Sequence, residues 1–360
     1  MKKDNILRKA AEEDFAQELK WLKQSDPATP PVNWQLSPQA VLLYLMGGKT
    51  SKGKAITPKY FGQRRLVELA IATLLTDRAL LLIGVPGTAK TWLSEHLAAA
   101  ISGDSRLLVQ GTSGTGEDAI RYGWNYAQLL QKGPSTEALV PSPVMTAMDN
   151  GKIVRIEELT RIPSDIQDGL ITILSEKQLP IAELQTSVRA HEGFNVIATA
   201  NDRDKGIHDM SSALSRRFNT VRLPLPATLK EEVEIVHFRI QQMHPDLDIA
   251  KTISTNDIEK LVTIFRELRS GQTESKDLKL KTPTATLSTA EAISAVNNSI
   301  SLTRHFDKGE AGLAESIVSS VVKDAQQDKV ALQEYLEAVL KSRRGWSKLY
   351  QSCREILADS

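Results

Sequence analysis

The chain has 360 residues, a formal net charge of +1, 41% apolar and 25% charged residues, the balance of a globular protein of about two domains. Near-neutral charge excludes a global field for nucleic acid or membrane surfaces, and the single cysteine, Cys353, excludes an intrachain disulfide and a cysteine-built zinc cluster. The first residues lack an apolar signal core and the apolar stretch 66–85 is interrupted by Glu68, Asp77 and Arg78, so the expectation is a cytoplasmic chain with no membrane span.

In chain order, residues 5–24 alternate charged and apolar side chains at helical spacing (Ile6, Ala10, Phe15, Leu19, Leu22), and the proline-rich stretch Ser25 to Pro31 breaks the helix. Residues 33–46 read as a short packing helix and 47–54 as a polar connector. A helix is expected over 66–75 and a buried strand over 79–83. Strands are further expected over 107–109, 153–156, 194–199 and 220–223, and the helical patterns between them argue for a parallel sheet in an α/β layer fold. Pro224 and Pro226 close this region, after which 228–244, 254–270, 285–304 and 310–355 read as helices. The expected organisation is an N-terminal helical extension and linker (1–55), an α/β domain (56–226) and an all-helical remainder (227–360).

The most informative segment is Gly84-Val85-Pro86-Gly87-Thr88-Ala89-Lys90-Thr91, between the strand at 79–83 and a helical pattern beginning at Trp92. A strand, a glycine-bearing turn and a helix opening on Lys-Thr form a phosphate-binding loop, in which backbone N–H groups converge on an anion. Lys90 would meet the β- and γ-phosphates of ATP, and the Thr91 hydroxyl would meet Mg²⁺. Phosphoryl transfer also needs a metal-organising acid and an oriented water. The strand at 153–156 ends in Glu157-Glu158, which suits those two tasks: Glu157 for Mg²⁺ and Glu158 for the water. Asn201, at the end of the next strand, can contact the γ-phosphate or the water.

Together these residues resemble the AAA+ ATPases, and within them the MoxR-like branch. The resemblance rests on Gly62-Gln63, the loop at 84–91, Val109-Gln110-Gly111-Thr112, Glu157-Glu158-Leu159-Thr160-Arg161, Ala198-Thr199-Ala200-Asn201 and Ala213-Leu214-Ser215-Arg216-Arg217-Phe218. It implies a P-loop parallel sheet flanked by helices and followed by a helical lid. It also implies a homo-oligomeric ring, commonly a hexamer, that hydrolyses ATP to remodel a protein partner, often one with a von Willebrand factor A domain. By this resemblance Lys90 and Thr91 match Walker A, Glu157 and Glu158 match Walker B, and Asn201 matches sensor 1. Arg217 matches the arginine finger, favoured over Arg216 because Arg-Phe is the commoner family ending.

Three departures from the family pattern stand out. The metal acid is Glu157 where Asp is usual, Arg155 sits inside a strand that is normally apolar, and the stretch 282–286 carries no sensor 2 arginine. The aromatic cluster Tyr122, Trp124 and Tyr126 lies in an insert that either grips a partner chain or packs under its own loop, and 178–193 reads as a hairpin. Tyr60 and Phe61 precede the first helix of the domain, where adenine lies in this family. The N-terminal helix either folds back on the core or docks on a neighbour. The six histidines (His96, His191, His208, His237, His244, His305) show no metal spacing. The rival functions are a nucleic-acid motor, which the mixed charges of 178–193 disfavour, and an ATP-binding switch with little hydrolysis, which Glu157 and the missing sensor 2 arginine favour.

Overall fold

The structure, a computed structural model, describes residues 6–202, 210–275, 277–306, 308, 310–324 and 326–359. It divides into two compact units. One holds the chain up to Val85 together with Ala89–Leu223, and the other holds Pro86–Thr88 together with the chain from Pro224 onward.

The first unit is built on a sheet of five parallel strands among the described residues: β1 (Ala79–Gly84), β2 (Leu108–Gln110), β3 (Ile153–Glu157), β4 (Asn195–Asn201) and β5 (Phe218–Arg222), in the order β5-β1-β4-β3-β2. Alternate residues of each strand feed opposite faces, so Leu80, Leu82, Ile153 and Ile197 enter one apolar core, while Leu81, Val154, Ile156, Val196 and Ala198 enter a second. A parallel sheet covered on both faces explains why these strands read as near-continuous apolar runs. In the registers, Asn201 stands opposite Gly84 and Gln110 opposite Glu157, which brings the carboxyl ends of four strands to one edge. Open α/β sheets bind ligands at that edge.

The N-terminal segment folds back on this unit. It forms α1 (Ala11–Asp14) and α2 (Ala16–Ser25), followed by α3 (Pro38–Met46), α4 (Arg64–Leu74) and the helix after the glycine loop, α5 (Lys90–Ser102). Polar contacts bind the segment: Arg8 Nη2 donates to Glu95 Oε2 at 2.5 Å, the Ser105 N–H donates to Glu12 at 3.1 Å, and Lys59 and Thr57 donate to Glu18. The Lys59 ammonium also lies 4.4 Å from the Phe15 ring centre and 4.5 Å from that of Tyr44. Burial pushes the Lys59 pKa down to about 8, with Glu18 pulling it back up.

Two excursions leave the sheet. Between β2 and β3, Tyr122–Trp124 pairs antiparallel with Leu139–Pro141 around a helix at Tyr126–Lys132. Between β3 and β4, Gln178–Ile181 pairs with Thr186–Arg189 as the expected hairpin. The Tyr122 hydroxyl donates to Glu183 Oε2 at 2.8 Å and Arg121 donates to the Pro180 carbonyl at 2.9 Å, so the excursions brace each other. The aromatic cluster divides: Tyr122 and Trp124 stack edge to face and are half-buried, whereas Tyr126 is 75% exposed.

The second unit is helical among its described residues, with its own core around Phe265, Tyr335, Leu332, Leu261 and Val296. The expected helices at 228–244 and 254–270 appear as Leu229–Met243 and Thr255–Ser270. Among the described residues, the expected helices of 310–355 appear as the α-helices Glu310–Val321, Gln327–Ala338 and Ser347–Asp359. Cys353 is buried in this core, and burial pushes its thiol up to about 12.

Candidate nucleotide site

The glycine loop leaves β1 at Gly84 and reaches α5 through two left-handed residues, Gly87 (φ 82°) and Ala89 (φ 63°). A left-handed alanine is unfavourable by roughly 1–2 kcal/mol, a cost that the surrounding loop and helix must offset. Lys90 and Thr91 open α5, with Lys90 buried and Thr91 exposed. The Lys90 ammonium donates to the Gly84 carbonyl at 2.8 Å and the Val85 carbonyl at 3.1 Å, which folds its side chain over the loop. Thr88 is buried and Val85, Pro86 and Gly87 are half-buried.

Glu157 closes β3 and is 2% exposed. Its Oε2 accepts from Thr91 Oγ1 at 2.8 Å and Thr199 Oγ1 at 2.7 Å. Its Oε1 accepts from Ser94 Oγ at 2.5 Å and Arg155 Nη2 at 2.9 Å. Thr91 and Glu157 stand out in the sequence, whereas Ser94 and Thr199 look there like ordinary helix and strand residues. The one signal was position: Ser94 lies one helical turn from Lys90, and Thr199 two residues before Asn201.

Glu158 turns out of the strand in a left-handed conformation (φ 56°, ψ 48°). Its N–H donates to Thr199 Oγ1 at 3.0 Å, and its Oε2 accepts from Asn201 Nδ2 at 2.8 Å. Two consecutive carboxylates thereby part: Glu157 goes inward to the hydroxyls and Glu158 goes to the amide, half-buried. Gly111 makes this turn possible. Its N–H donates to the Glu157 carbonyl at 2.7 Å, and a Cβ there would stand 2.3 Å from the Glu158 carbonyl oxygen. Gly111 belongs to the motif Val109-Gln110-Gly111-Thr112, whose sequence carries no mark of this role.

The two arginines behave differently. Arg217 Nη1 donates to the Ala213 carbonyl at 2.6 Å and its Nε to Ser175 Oγ at 2.9 Å. Arg216 is exposed. Tyr60 is buried in the core beside α3 and α4, with Phe61 half-buried beside it.

Among the described residues no three His, Cys, Asp or Glu side chains gather to hold an ion, and His208 lies outside them. The donors at Thr91 and Glu157 are oxygens, one of them on an exposed hydroxyl, and that suits a hard cation such as Mg²⁺ held mainly by phosphate oxygens. Among the described residues no helix is long and apolar enough to cross a membrane.

The sheet order, the loop and this carboxyl-edge cluster define an AAA+ ATPase fold. Comparison with known proteins agrees: residues 79–218 match the AAA domain of the dynein-related subfamily, and residues 230–358 match the YehL-like AAA+ ATPase C-terminal domain. The chain is 40% identical over 358 residues to the protein YehL of Escherichia coli (strain K12), covering 97% of both chains, and it belongs to the YehL-like AAA+ ATPases. It is also 27% identical over 148 residues to the protein SH1500 of Staphylococcus haemolyticus, covering 41% of this chain and 56% of that one. Among solved structures, the ADP complex of NtrX from Brucella abortus shares the fold at a TM-score of 0.50 and 15% identity, across 82% of this chain and 64% of that one.

Proposed function

We propose that this protein binds ATP with Mg²⁺ and hydrolyses it to ADP and phosphate, in the cytoplasm and as a homo-oligomeric ring. The observation that carries the reading is the pairing of Glu158 with Asn201 at 2.8 Å, beside the Thr91–Glu157 pair and at the foot of the glycine loop. A carboxylate held by an amide at the end of a rigid strand suits a group that must accept a proton from an oriented water. Residues 84–91 would hold the phosphates, with the Lys90 ammonium swinging from its loop carbonyls to the β- and γ-phosphates. Thr91 and Glu157 would hold Mg²⁺, which supplies charge neutralisation on the phosphates. Asn201 would keep Glu158 and the water in line.

In the ring, an arginine of each subunit would reach the phosphates bound by its neighbour. Exposure favours Arg216 for this task, since Arg217 is tied to Ser175 and Ala213; the family ending favours Arg217. We place the chain near the MoxR-like branch and give the ring a protein partner to remodel, a von Willebrand factor A domain being the kind that branch suggests. The exposed face of the insert, with Tyr126 at 75% and Leu130 at 89% exposure, supports contact with protein rather than with a phosphate backbone. The hairpin at 178–189 spends Glu183 on Tyr122 and presents no basic track for nucleic acid.

One observation favours a second reading, an ATP-binding switch with slow turnover. Glu157 already accepts four hydrogen bonds, so its carboxylate is engaged before any cation arrives. ATP titration followed by single-turnover hydrolysis separates the two. Binding lost in Lys90→Ala, and turnover present in wild type but absent in Glu158→Gln, would support the hydrolase. Tight binding without turnover, even with partner, would support the switch. No binding at all would refute both.

A further inference from the structure

The buried arginine of β3 has no part in the proposed reaction so far, yet it touches every element of the cation site. Arg155 is 4% exposed, between the fully buried Val154 and Ile156. A guanidinium in such a place is retained only with partners. Its Nη2 donates to Glu157 Oε1 at 2.9 Å and to the Thr91 carbonyl at 3.3 Å. Its Nε donates to Ser94 Oγ at 3.1 Å, and its Nη1 to the Ser105 carbonyl at 3.0 Å. Residues two apart on a strand share a face, so Arg155 and Glu157 stand side by side against the first turn of α5.

We propose that Arg155 is a positioning residue that sets how strongly nucleotide binding depends on the divalent cation. The inference rests on the nucleotide-binding reading above. Arg155 neutralises Glu157, so a cation approaching Thr91 and Glu157 meets an ion pair instead of a bare anion. The guanidinium fixes the carboxylate's direction through Ser94 and Thr91 and weakens its pull on the cation through charge. Each effect has its own signature, because only the second depends on the sum of the two charges.

The test is the Mg²⁺ concentration that half-saturates binding of a fluorescent ADP analogue, with EDTA as the zero. Arg155→Met leaves Glu157 uncompensated and lowers that concentration by about threefold or more. Glu157→Gln leaves Arg155 uncompensated and raises it. The Arg155→Met/Glu157→Gln double variant, neutral again, returns toward wild type, and Arg155→Lys stays near wild type. A residue that merely fills the strand would lower thermal stability without reversing the sign between the two single variants. Should Arg155→Met not fold alone, the difference between Glu157→Gln and the double variant reads the same charge. An Arg155→Met variant whose Mg²⁺ dependence equals that of wild type or moves the other way, or a double variant no nearer to wild type than Glu157→Gln, in a wild type that binds ADP, would overturn the inference. A wild type that binds no ADP with or without Mg²⁺ would instead refute the nucleotide-binding reading, and the inference with it.

Discussion

Two regions of this molecule each bury a carboxylate against arginine, and only one of them has the makings of a site. In the helical unit, Glu232 is fully buried and accepts from Arg266 at 2.9 Å, Arg269 at 2.9 and 3.1 Å, and Thr289 at 2.7 Å. Burial alone would raise its pKa, but the Arg269, Thr289 and Arg266 bonds outweigh that and hold it below the ordinary carboxylate value. Every donor there comes from the same bundle and the surroundings are apolar core. At the sheet edge, Glu157 is as well satisfied, but one of its donors is the exposed Thr91 and its neighbour Glu158 turns away to Asn201. Saturation of a buried charge is therefore no sign of function. What distinguishes the strand edge is a reachable hydroxyl and a half-buried carboxylate–amide pair beside a loop of left-handed residues.

The contrast can be tested by perturbing both regions. The largest effect is expected at Glu158: Glu158→Gln should lower turnover by about 10²–10⁴-fold while ATP still binds, measured by single-turnover hydrolysis. A fall of less than tenfold would remove Glu158 from proton transfer. The arginine proposed to act in trans comes next. Arg216→Ala should retain ATP binding and lose on the order of 10³ in rate, more than Arg217→Ala does. Mixing Arg216→Ala with Glu158→Gln subunits should restore activity at interfaces that pair two intact halves. No rescue at any ratio, with assembly intact, would contradict a shared site.

At Glu232 the expected loss is in stability instead. Removing the carboxylate takes the shared buried acceptor from the half-buried Arg266 and Arg269, so Glu232→Ala should cost about 3 kcal/mol in unfolding experiments. Because its folded pKa is depressed, this stability is present above the unfolded carboxylate pKa and is lost as pH falls through the folded value. A Glu232→Ala variant that melts like wild type near neutral pH would show that the cluster stabilises nothing.

Smaller effects are expected at Lys59 and Cys353. Lys59, pushed down to about 8, binds fewer protons folded than unfolded between that value and 10.5, so stability from this group should rise with pH across that window. The melting temperature of Lys59→Met should lack that rise relative to wild type. Cys353, buried with its thiol pushed up to about 12, should react with a thiol reagent only as fast as the helical unit opens. Fast modification of native protein would show the core there to be open.

Much of the strand-edge region was legible in the sequence because its signals are local. The strand, glycine turn and Lys-Thr opening of 79–91 are contiguous, and apolar runs ending in Glu157-Glu158 and Asn201 announce both strand and chemistry. What could not be read was the pairing across distance. Ser94 and Arg155 meet over 61 residues of separation, and Thr199 reaches Glu157 over 42. A serine in a helix or a threonine in a strand carries no mark of such a partner. Arg155 itself was visible as an anomaly in an apolar strand, but only the fold shows that it pairs with Glu157.

The helical unit was less legible for a related reason. The run 310–355 contains no proline, and the break before Ser347 is marked only by Gly345, so its division into three helices is decided by packing around Tyr335 and Leu332. Arg343 lies in the basic stretch Lys341-Ser342-Arg343-Arg344. In the fold it reaches the buried Glu267, which also accepts from the Tyr335 hydroxyl at 2.5 Å. The N-terminal segment likewise had two open fates, and the contacts of Glu18, Glu12 and Arg8 with the first unit decide for folding back.

The most direct test of the central claim is the specific ATPase rate measured against protein concentration, for wild type and Glu158→Gln. A composite site in an assembling ring predicts a rate per subunit that rises with concentration to a plateau in wild type and is near zero throughout in the variant. A rate per subunit that is independent of concentration over the range where the protein passes from monomer to assembly would contradict it, as would turnover that survives Glu158→Gln.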